Sequence, residues 1–341
     1  MSGYDRDESV AVIGAGSWGT TLARILGDNG RRTLLWARRE DLCREINESR
    51  ENRDYLPGAE LAPCVEATHD LQRVCDTCKL MLLVVPSHGL RKLAYELGGF
   101  VTGEHVVVHA TKGIEQATFK RMSEVLVEET CLRKIGVLTG PNLAKELAQR
   151  QPAGTLVASR YDEVFRRAHA ALSSDYFRVY WGQDVIGAEV GGAFKNIVAL
   201  AAGVVTGLGL GENSKALLLT RGLSEMARLG VAMGAEVLTF GGMGGIGDLI
   251  ATCSSTLSRN HQVGARLAQG ESLQQIQDHM QMVAEGVKTT GAVHGFATRK
   301  GLELPIVRAV YHLLYEGGTA PRLLEDLMSI PTGAEFVALT V

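Results

Sequence analysis

A lysine in the most apolar helical stretch of the chain is the first candidate for chemistry. Lys195 lies in Val190-Gly-Gly-Ala-Phe-Lys195-Asn196-Ile-Val-Ala-Leu-Ala-Ala202. An unpaired ammonium is costly to bury, so this side chain is expected to find a partner or to have a depressed pKa. A lysine tuned towards neutrality exchanges a proton with an alcohol or carbonyl oxygen. The plainer alternative is a lysine whose head reaches water at the helix edge. Asp248, in Gly247-Asp248-Leu-Ile-Ala-Thr252, follows a glycine loop, placed to orient Lys195 or to cap the next helix, two compatible roles. Ser258-Arg259-Asn260 opens a helical pattern running through Val263 and Leu267. A hydroxyl, a guanidinium and an amide at a helix start make a cradle for a phosphate dianion, or else a serine cap beside an exposed arginine. Glu285, in Val283-Ala-Glu-Gly286, is one more acid beside a glycine.

The elements that position such residues begin at Val10-Ala-Val-Ile-Gly14-Ala-Gly16-Ser-Trp-Gly19-Thr-Thr-Leu-Ala-Arg-Ile-Leu26. A β-branched run meets Gly14-x-Gly16-x-x-Gly19 without a gap, and Leu22, Ile25 and Leu26 then fall at helical spacing. Gly14 suits the tight turn, Gly16 the close approach of a pyrophosphate, and Gly19 the packing of helix on strand. The helix start would hold the phosphates, so a dinucleotide is expected. At the end of the second strand, Arg32 to Arg38, an NAD-binding chain usually carries an acid for the ribose 2′-hydroxyl. Here stand Arg38 and Arg39, which suit a 2′-phosphate and point to NADPH, with NADH left open. Alternatively Arg39 simply starts an exposed helix with Glu40 and Asp41.

Lys79 to Val85, His105 to His109 and Lys134 to Thr139 are further strand-like runs separated by helical patterns. They predict a doubly wound parallel sheet, whose ligands bind beyond the carboxyl ends of the strands. Lys112, Gly140 and Asn142 lie just past two such ends. His88, after Pro86-Ser87, is a ligand contact or a solvated histidine at a helix start. Asn47 to Pro63 reads as a loop, and Gln151 to Ser159 and Phe177 to Trp181 as strands at the sheet edge. From about Asp184 the pattern is helical with glycine-rich joints. The expected architecture is α/β, with a Rossmann-type domain over residues 1–188 and an all-α domain over 189–341.

The 341 residues, 45% hydrophobic and 21% charged, suit a soluble protein of about two domains. A net charge of −3 gives no reason to expect nucleic acid or a membrane surface as a partner. Met1 to Ser9 is polar, with no apolar secretory core. The longest apolar run, Ile197 to Gly211, is shorter than a bilayer span. Six scattered cysteines fit a reducing cytoplasm. Cys75-Asp-Thr-Cys78 lacks the second pair or thioredoxin-like surroundings that a metal or redox role would need. No metal site is expected.

With these residues assembled, the chain resembles the bacterial NAD(P)-dependent glycerol-3-phosphate dehydrogenase family over nearly its full length. The resemblance is carried by Gly14-Ala-Gly-Ser-Trp-Gly19, Trp36-Ala-Arg38, Pro86-Ser87, Thr111-Lys-Gly-Ile-Glu115 and Gly140-Pro141. It continues through Lys195-Asn196, Gly247-Asp-Leu-x-x-Thr-Cys253, Ser258-Arg-Asn260, Glu285-Gly286, Pro305-Ile306 and Val310-Tyr311. It implies a Rossmann domain followed by a helical one, and reversible reduction of dihydroxyacetone phosphate to sn-glycerol 3-phosphate for phospholipid synthesis. It implies Lys195 as general acid and base, with Lys112 and Asp248 as its catalytic partners. Gly140, Asn142, Ser258, Arg259 and Asn260 would join these three around the substrate. Gly14, Gly16, Ser17, Trp18, Gly19, Arg38, Arg39, Tyr55, Lys112, Ala144, Arg259, Val283 and Glu285 would contact NADPH.

The sequence departs from the family pattern in three places. Asn142 stands where Ser or Thr is common, Met243-Gly244 replaces Leu-Ala, and Ile330 replaces a frequent arginine. The competing expectations are a related two-domain reductase of a 3-hydroxy acid or sugar acid, and a non-catalytic sensor of NAD(P)H. The Gly-Asp-Leu-x-x-Thr-Cys match disfavours the first, and the retained lysines and Asp248 the second. Small-molecule substrate, cytoplasmic location and an open question of homodimer complete the reading.

Overall fold

The protein is described from a computed structural model covering residues 8–280 and 284–329. It forms two compact units. One comprises the chain to Thr111 with Met122–Val185, the other Lys112–Arg121 with the chain from Ile186.

The first unit is a sheet of β1 (Val10–Ile13), β2 (Thr33–Trp36), β3 (Val65–Thr68), β4 (Leu80–Leu83), β5 (Val106–His109), β6 (Lys134–Thr139), β7 (Ala153–Ser159) and β8 (Phe177–Gly182). Their order is β3-β2-β1-β4-β5-β6-β7-β8. The strands alternate with α1 (Ser17–Asp28), α2 (Glu40–Ser49), α3 (Leu71–Thr77), α4 (Ser87–Gly98), α5 (Met122–Glu129), α6 (Ala144–Ala148) and α7 (Asp162–Leu172). Alternate side chains of the central strands feed two cores. Val10, Val12, Leu80 and Leu82 pack with Leu22, Ile25 and Leu26 of α1. Ala11, Ile13, Met81 and Leu83 pack with Leu90, Leu93 and Leu97 of α4 on the other face. That two-sided burial is why these strands read as unbroken apolar runs.

Three features differ from the sequence reading. β3, which pairs with β2, was not expected, because Val-Glu-Ala-Thr with a half-exposed Glu66 at the sheet edge leaves little apolar signal. The sheet is not wholly parallel. β7 runs antiparallel to β6, and β8 parallel to β7. The β6–β7 connection contains only the five-residue α6 and returns at the end where β6 finishes, so it never crosses the sheet as a parallel pairing requires. Finally, Lys112–Arg121 leaves the first unit: Ile114 is buried in the helical core, Phe119 packs edge-on against Phe296 at 6.1 Å, and Arg121 pairs with Glu189 at 2.6 Å.

The second unit packs α8 (Val185–Gly207), α9 (Glu212–Ala232), α10 (Asp248–Ser254), α11 (Arg259–Ala268), α12 (Leu273–His279), α13 (Glu285–Lys300), α14 (Pro305–Tyr315) and α15 (Ala320–Met328). α8 is its axis, buried on every side from Gly187 to Val205. The apolar segment is longer than the run counted from sequence. At 23 residues α8 has the length and composition to cross a membrane, but 89% of its apolar window is buried inside the protein. All-round apolarity is what a central packing helix requires.

Candidate active site

The glycine loop joins β1 to α1, and its three glycines meet different surroundings. Gly14 has φ +120°, and a Cβ there would stand 2.4 Å from the Val84 carbonyl oxygen. A Cβ on Gly19 would stand 1.8 Å from the Gly14 oxygen, whereas one on Gly16 would meet nothing within 4 Å. Gly14 and Gly19 are therefore fixed by the fold, and Gly16 faces open space. α1 begins with no side-chain cap and no acid in its first turn. Its leading N–H groups and positive dipole end favour an anion, so the residues present fit a dinucleotide pyrophosphate.

A second loop braces this one. Asn52 is fully buried, and its Nδ2 donates to the Ala15 carbonyl at 2.9 Å and to Thr20 Oγ1 at 2.8 Å. Ser17 Oγ donates to the Tyr55 carbonyl at 2.7 Å. Trp18 stands edge-on to Phe177 at 6.4 Å. Arg39 is bound to Asp54 at 2.5 Å, while Arg38 is exposed and forms no ion pair with any described residue. Gly140 has φ +142° and backs onto Thr155. The Asn142 amide is already engaged, donating to Gly154 O at 3.0 Å and accepting from Thr155 Oγ1 at 2.8 Å. Ala144 starts α6, its carbonyl 3.4 Å from Thr21 Oγ1.

In the second unit the structure brings together Lys112, Lys195 and Asp248. A Cβ on Gly191 would stand 2.1 Å from Gly244 O, so glycines on both sides let α8 touch the π turn Met243–Gly247 that precedes α10. That contact aims Asp248, the first residue of α10, at Lys195 on α8. Asp248 Oδ1 accepts from Lys195 Nζ, and Oδ2 accepts from Lys112 Nζ at 2.8 Å. Thr252, one helical turn beyond Asp248, accepts from Lys195 Nζ at 2.8 Å and donates to Asp248 Oδ1 at 3.2 Å. The Lys195 and Asp248 side chains are 8% and 2% exposed, and Lys112 is 22% exposed. Lys195 is thus buried and paired rather than reaching solvent, and Gly247 rather than Asp248 stands at the N-cap of α10.

The electrostatics follow from that geometry. Burial pulls the Lys195 ammonium down to about 7, with Lys112 adding repulsion and Asp248 opposing both. Burial alone would raise the Asp248 carboxyl, but the two ammonium groups outweigh it and hold it below the usual range. Two cations share one anion in a water-poor pocket. Such a centre can hold a proton at Lys195 Nζ and attract negative charge growing on a substrate oxygen.

Beside it, Asn260 Nδ2 donates to Asn196 Oδ1 at 3.0 Å, and its Oδ1 accepts from Gly286 N at 2.9 Å. Asn260 therefore ties α11 to α8 and to the start of α13, where Glu285 is the first residue. Ser258 Oγ caps α11, accepting from His261 N, and Arg259 is its exposed first residue. Val283 and Ile330 lie outside the described residues. His88 is exposed in the first turn of α4. Cys75 and Cys78 are buried, and burial pushes their thiols up to about 11 and about 12, which leaves them inert. Among the described residues no His, Cys, Asp or Glu cluster could hold a metal ion.

Sequence reasoning missed three of these residues. Thr252 could have been found, since it stands four positions after Asp248 and so shares its helix face. Asn52 and Asp54 carried no local signal, because their partners are remote in the chain.

Comparison with known proteins gives a consistent result over both units. The model of the NAD-dependent glycerol-3-phosphate dehydrogenase N-terminus matches residues 9–165, and that of its C-terminus matches residues 184–325. Glycerol-3-phosphate dehydrogenase [NAD(P)+] of Citrifermentans bemidjiense is 44% identical over 97% of this chain and 99% of its own. The protein of the same name from Moorella thermoacetica is 46% identical over 95% of this chain and 96% of its own. Among solved structures, glycerol-3-phosphate dehydrogenase from Coxiella burnetii superposes with a TM-score of 0.91 at 32% identity, covering 95% of this chain and 100% of that one. The chain belongs to the NAD-dependent glycerol-3-phosphate dehydrogenase family.

Proposed function

We propose that this chain interconverts dihydroxyacetone phosphate and sn-glycerol 3-phosphate with NADPH or NADH, supplying glycerol 3-phosphate for phospholipid synthesis. The observation that carries the reading is the buried Lys195–Asp248–Lys112 centre in a chain of this family. A bound nicotinamide supplies the hydride. The chain's own residues do the rest.

Two of the three donors on Lys195 Nζ are spent on Asp248 and Thr252, which leaves one for the carbonyl oxygen of the substrate. In the reduction, Lys195 gives that proton to the oxygen. In the oxidation it takes the proton back from the hydroxyl. Lys112 adds a second positive charge beside the same oxygen, and Asp248 fixes both lysines. Low polarity around the centre makes each of these charges worth more than in water. Arg259 and the N–H groups at the start of α11 suit the substrate phosphate, and anchoring it there would fix the reacting carbonyl. The family resemblance implies substrate contacts for Gly140 and Asn142 of the first unit and for Ser258 and Asn260 of the second. The same resemblance implies dinucleotide contacts for Ser17, Trp18, Arg38, Arg39, Tyr55 and Ala144 in the first unit, and for Lys112, Arg259, Val283 and Glu285 in the second.

The reading places the protein in the cytoplasm, supported by six cysteines that are all free. It includes a homodimer, supported by the exposed apolar side chains of Val237, Leu238 and Ile250. Light scattering tests the latter. The activity is tested by following NADPH oxidation with dihydroxyacetone phosphate for the wild type and Lys195→Ala. Turnover that disappears in the variant supports the reading, and undiminished turnover refutes the role of Lys195. Turnover only with 3-keto acids would favour the related reductase instead.

A further inference from the structure

The guanidinium assigned to the cofactor's 2′-phosphate is already bound to a carboxylate. Arg39 lies 2.5 Å from Asp54 and 3.8 Å from Asp41, with Arg39 and Asp54 half-exposed. Asp54 belongs to a held segment. Two positions before it, Asn52 is locked to the glycine loop through Ala15 and Thr20, and its carbonyl accepts from Tyr55 N at 3.3 Å and Leu56 N at 2.8 Å. One position after it, the Tyr55 carbonyl accepts from Ser17 Oγ. The backbone carrying Asp54 is therefore fastened on both sides to the loop that suits the pyrophosphate. Arg38, next to Arg39, has no described ion-pair partner.

We infer that Asp54 sets the choice between NADPH and NADH by competing with the 2′-phosphate for Arg39. Asp54 occupies Nη2 of Arg39 and sets a negative charge beside it, so a second anion brought to that edge meets both a diverted donor and a like charge. A ribose 2′-hydroxyl has no charge to repel and can donate to a carboxylate. Asp54 thus restores part of the acid that NAD-binding chains carry at the end of their second strand, from a different loop. This chain places two arginines where a 2′-phosphate would lie and moderates one of them. The pair is exposed, so the effect is modest and is reduced by salt.

The inference rests on the reading that Arg38 and Arg39 face the adenosine ribose, and the experiment separates the two. Dissociation constants for NADPH and NADH are measured by isothermal titration at low and high salt for wild type, Asp54→Asn, Arg39→Ala and Arg38→Ala. Asp54→Asn is expected to tighten NADPH about threefold to tenfold at low salt, to leave NADH equal or weaker, and to lose most of the difference at high salt. An unchanged ratio in Asp54→Asn, with NADPH weakened in Arg39→Ala, overturns the role of Asp54 and leaves the reading standing. An unchanged ratio in both arginine variants overturns the reading and the inference with it. Equal weakening of both cofactors in Asp54→Asn makes Asp54 a brace for its loop and also overturns the inference.

Discussion

Lys112 and Lys195 divide one carboxylate between them, Lys112 on Oδ2 of Asp248 at 2.8 Å and Lys195 on Oδ1. While Lys195 keeps its proton, the three groups together carry one net positive charge, and Asp248 among them is almost wholly enclosed. Replacing Asp248 by Asn removes the carboxylate that both neighbouring ammonium groups share. Breaking a buried pair from one side costs about 3–5 kcal/mol, so the melting temperature should fall. Turnover should fall about a hundredfold or more, and the pH at which reduction declines should move lower, because burial and Lys112 then act on Lys195 unopposed. A variant with the wild-type pH profile would show that Asp248 does not hold Lys195.

The depressed Lys195 ammonium has a direct kinetic consequence. With its pKa drawn down to about 7, the side chain carries its proton below that value and loses it above. Reduction needs the proton, so kcat/KM for the ketone should decline about tenfold per pH unit above the transition, while alcohol oxidation rises with pH towards a plateau. Lys195→Arg keeps its charge throughout and should be slow and flat in pH. Reduction that stays constant to pH 9 in the wild type would place the proton elsewhere.

Both the glycine loop and the helical core were legible in the sequence because their signals are local. Gly14, Gly16 and Gly19 lie within one turn and its flanks, and the uninterrupted apolarity around Lys195 announces a helix with no wet face. What was not legible depends on contacts between distant segments. The reversal of β7 follows from how the Gly140–Pro152 connection turns back. The transfer of Lys112–Arg121 to the helical unit follows from Phe119 meeting Phe296 and Arg121 meeting Glu189. Asp54 is one acid among many in a charged loop until the fold sets it against Arg39.

Gly16 and Gly19 should respond oppositely to the same added methyl group. A Cβ on Gly16 meets nothing in the protein, so Gly16→Ala should fold with an unchanged melting temperature, yet weaken NADPH binding at least about tenfold by filling the approach to the pyrophosphate. A Cβ on Gly19 collides with backbone, so Gly19→Ala should destabilise by about 1–3 kcal/mol. Thermal melts and cofactor titrations on both variants test the pair. Undiminished NADPH binding by Gly16→Ala would remove Gly16 from the dinucleotide site.

Glu225 predicts a pH-dependent stability unrelated to catalysis. Its side chain is buried on α9 and accepts from Ile306 N at 2.8 Å and Val307 N at 3.4 Å, at the start of α14. Burial pushes its carboxyl up from 4.5 to about 7, against the backbone hydrogen bonds and the charges of Arg228 and Arg221. Between those two pH values the folded chain holds a proton that the unfolded chain has released. Its contribution to stability is therefore fully present below pH 4.5 and is lost as pH rises through 7. Glu225→Gln does not titrate and keeps an oxygen to accept from Ile306. Urea unfolding of both proteins from pH 5 to 8 should show the difference moving in favour of the variant by on the order of 3 kcal/mol. A difference that stays level across that range would mean that Glu225 is ionised in the fold as readily as in water.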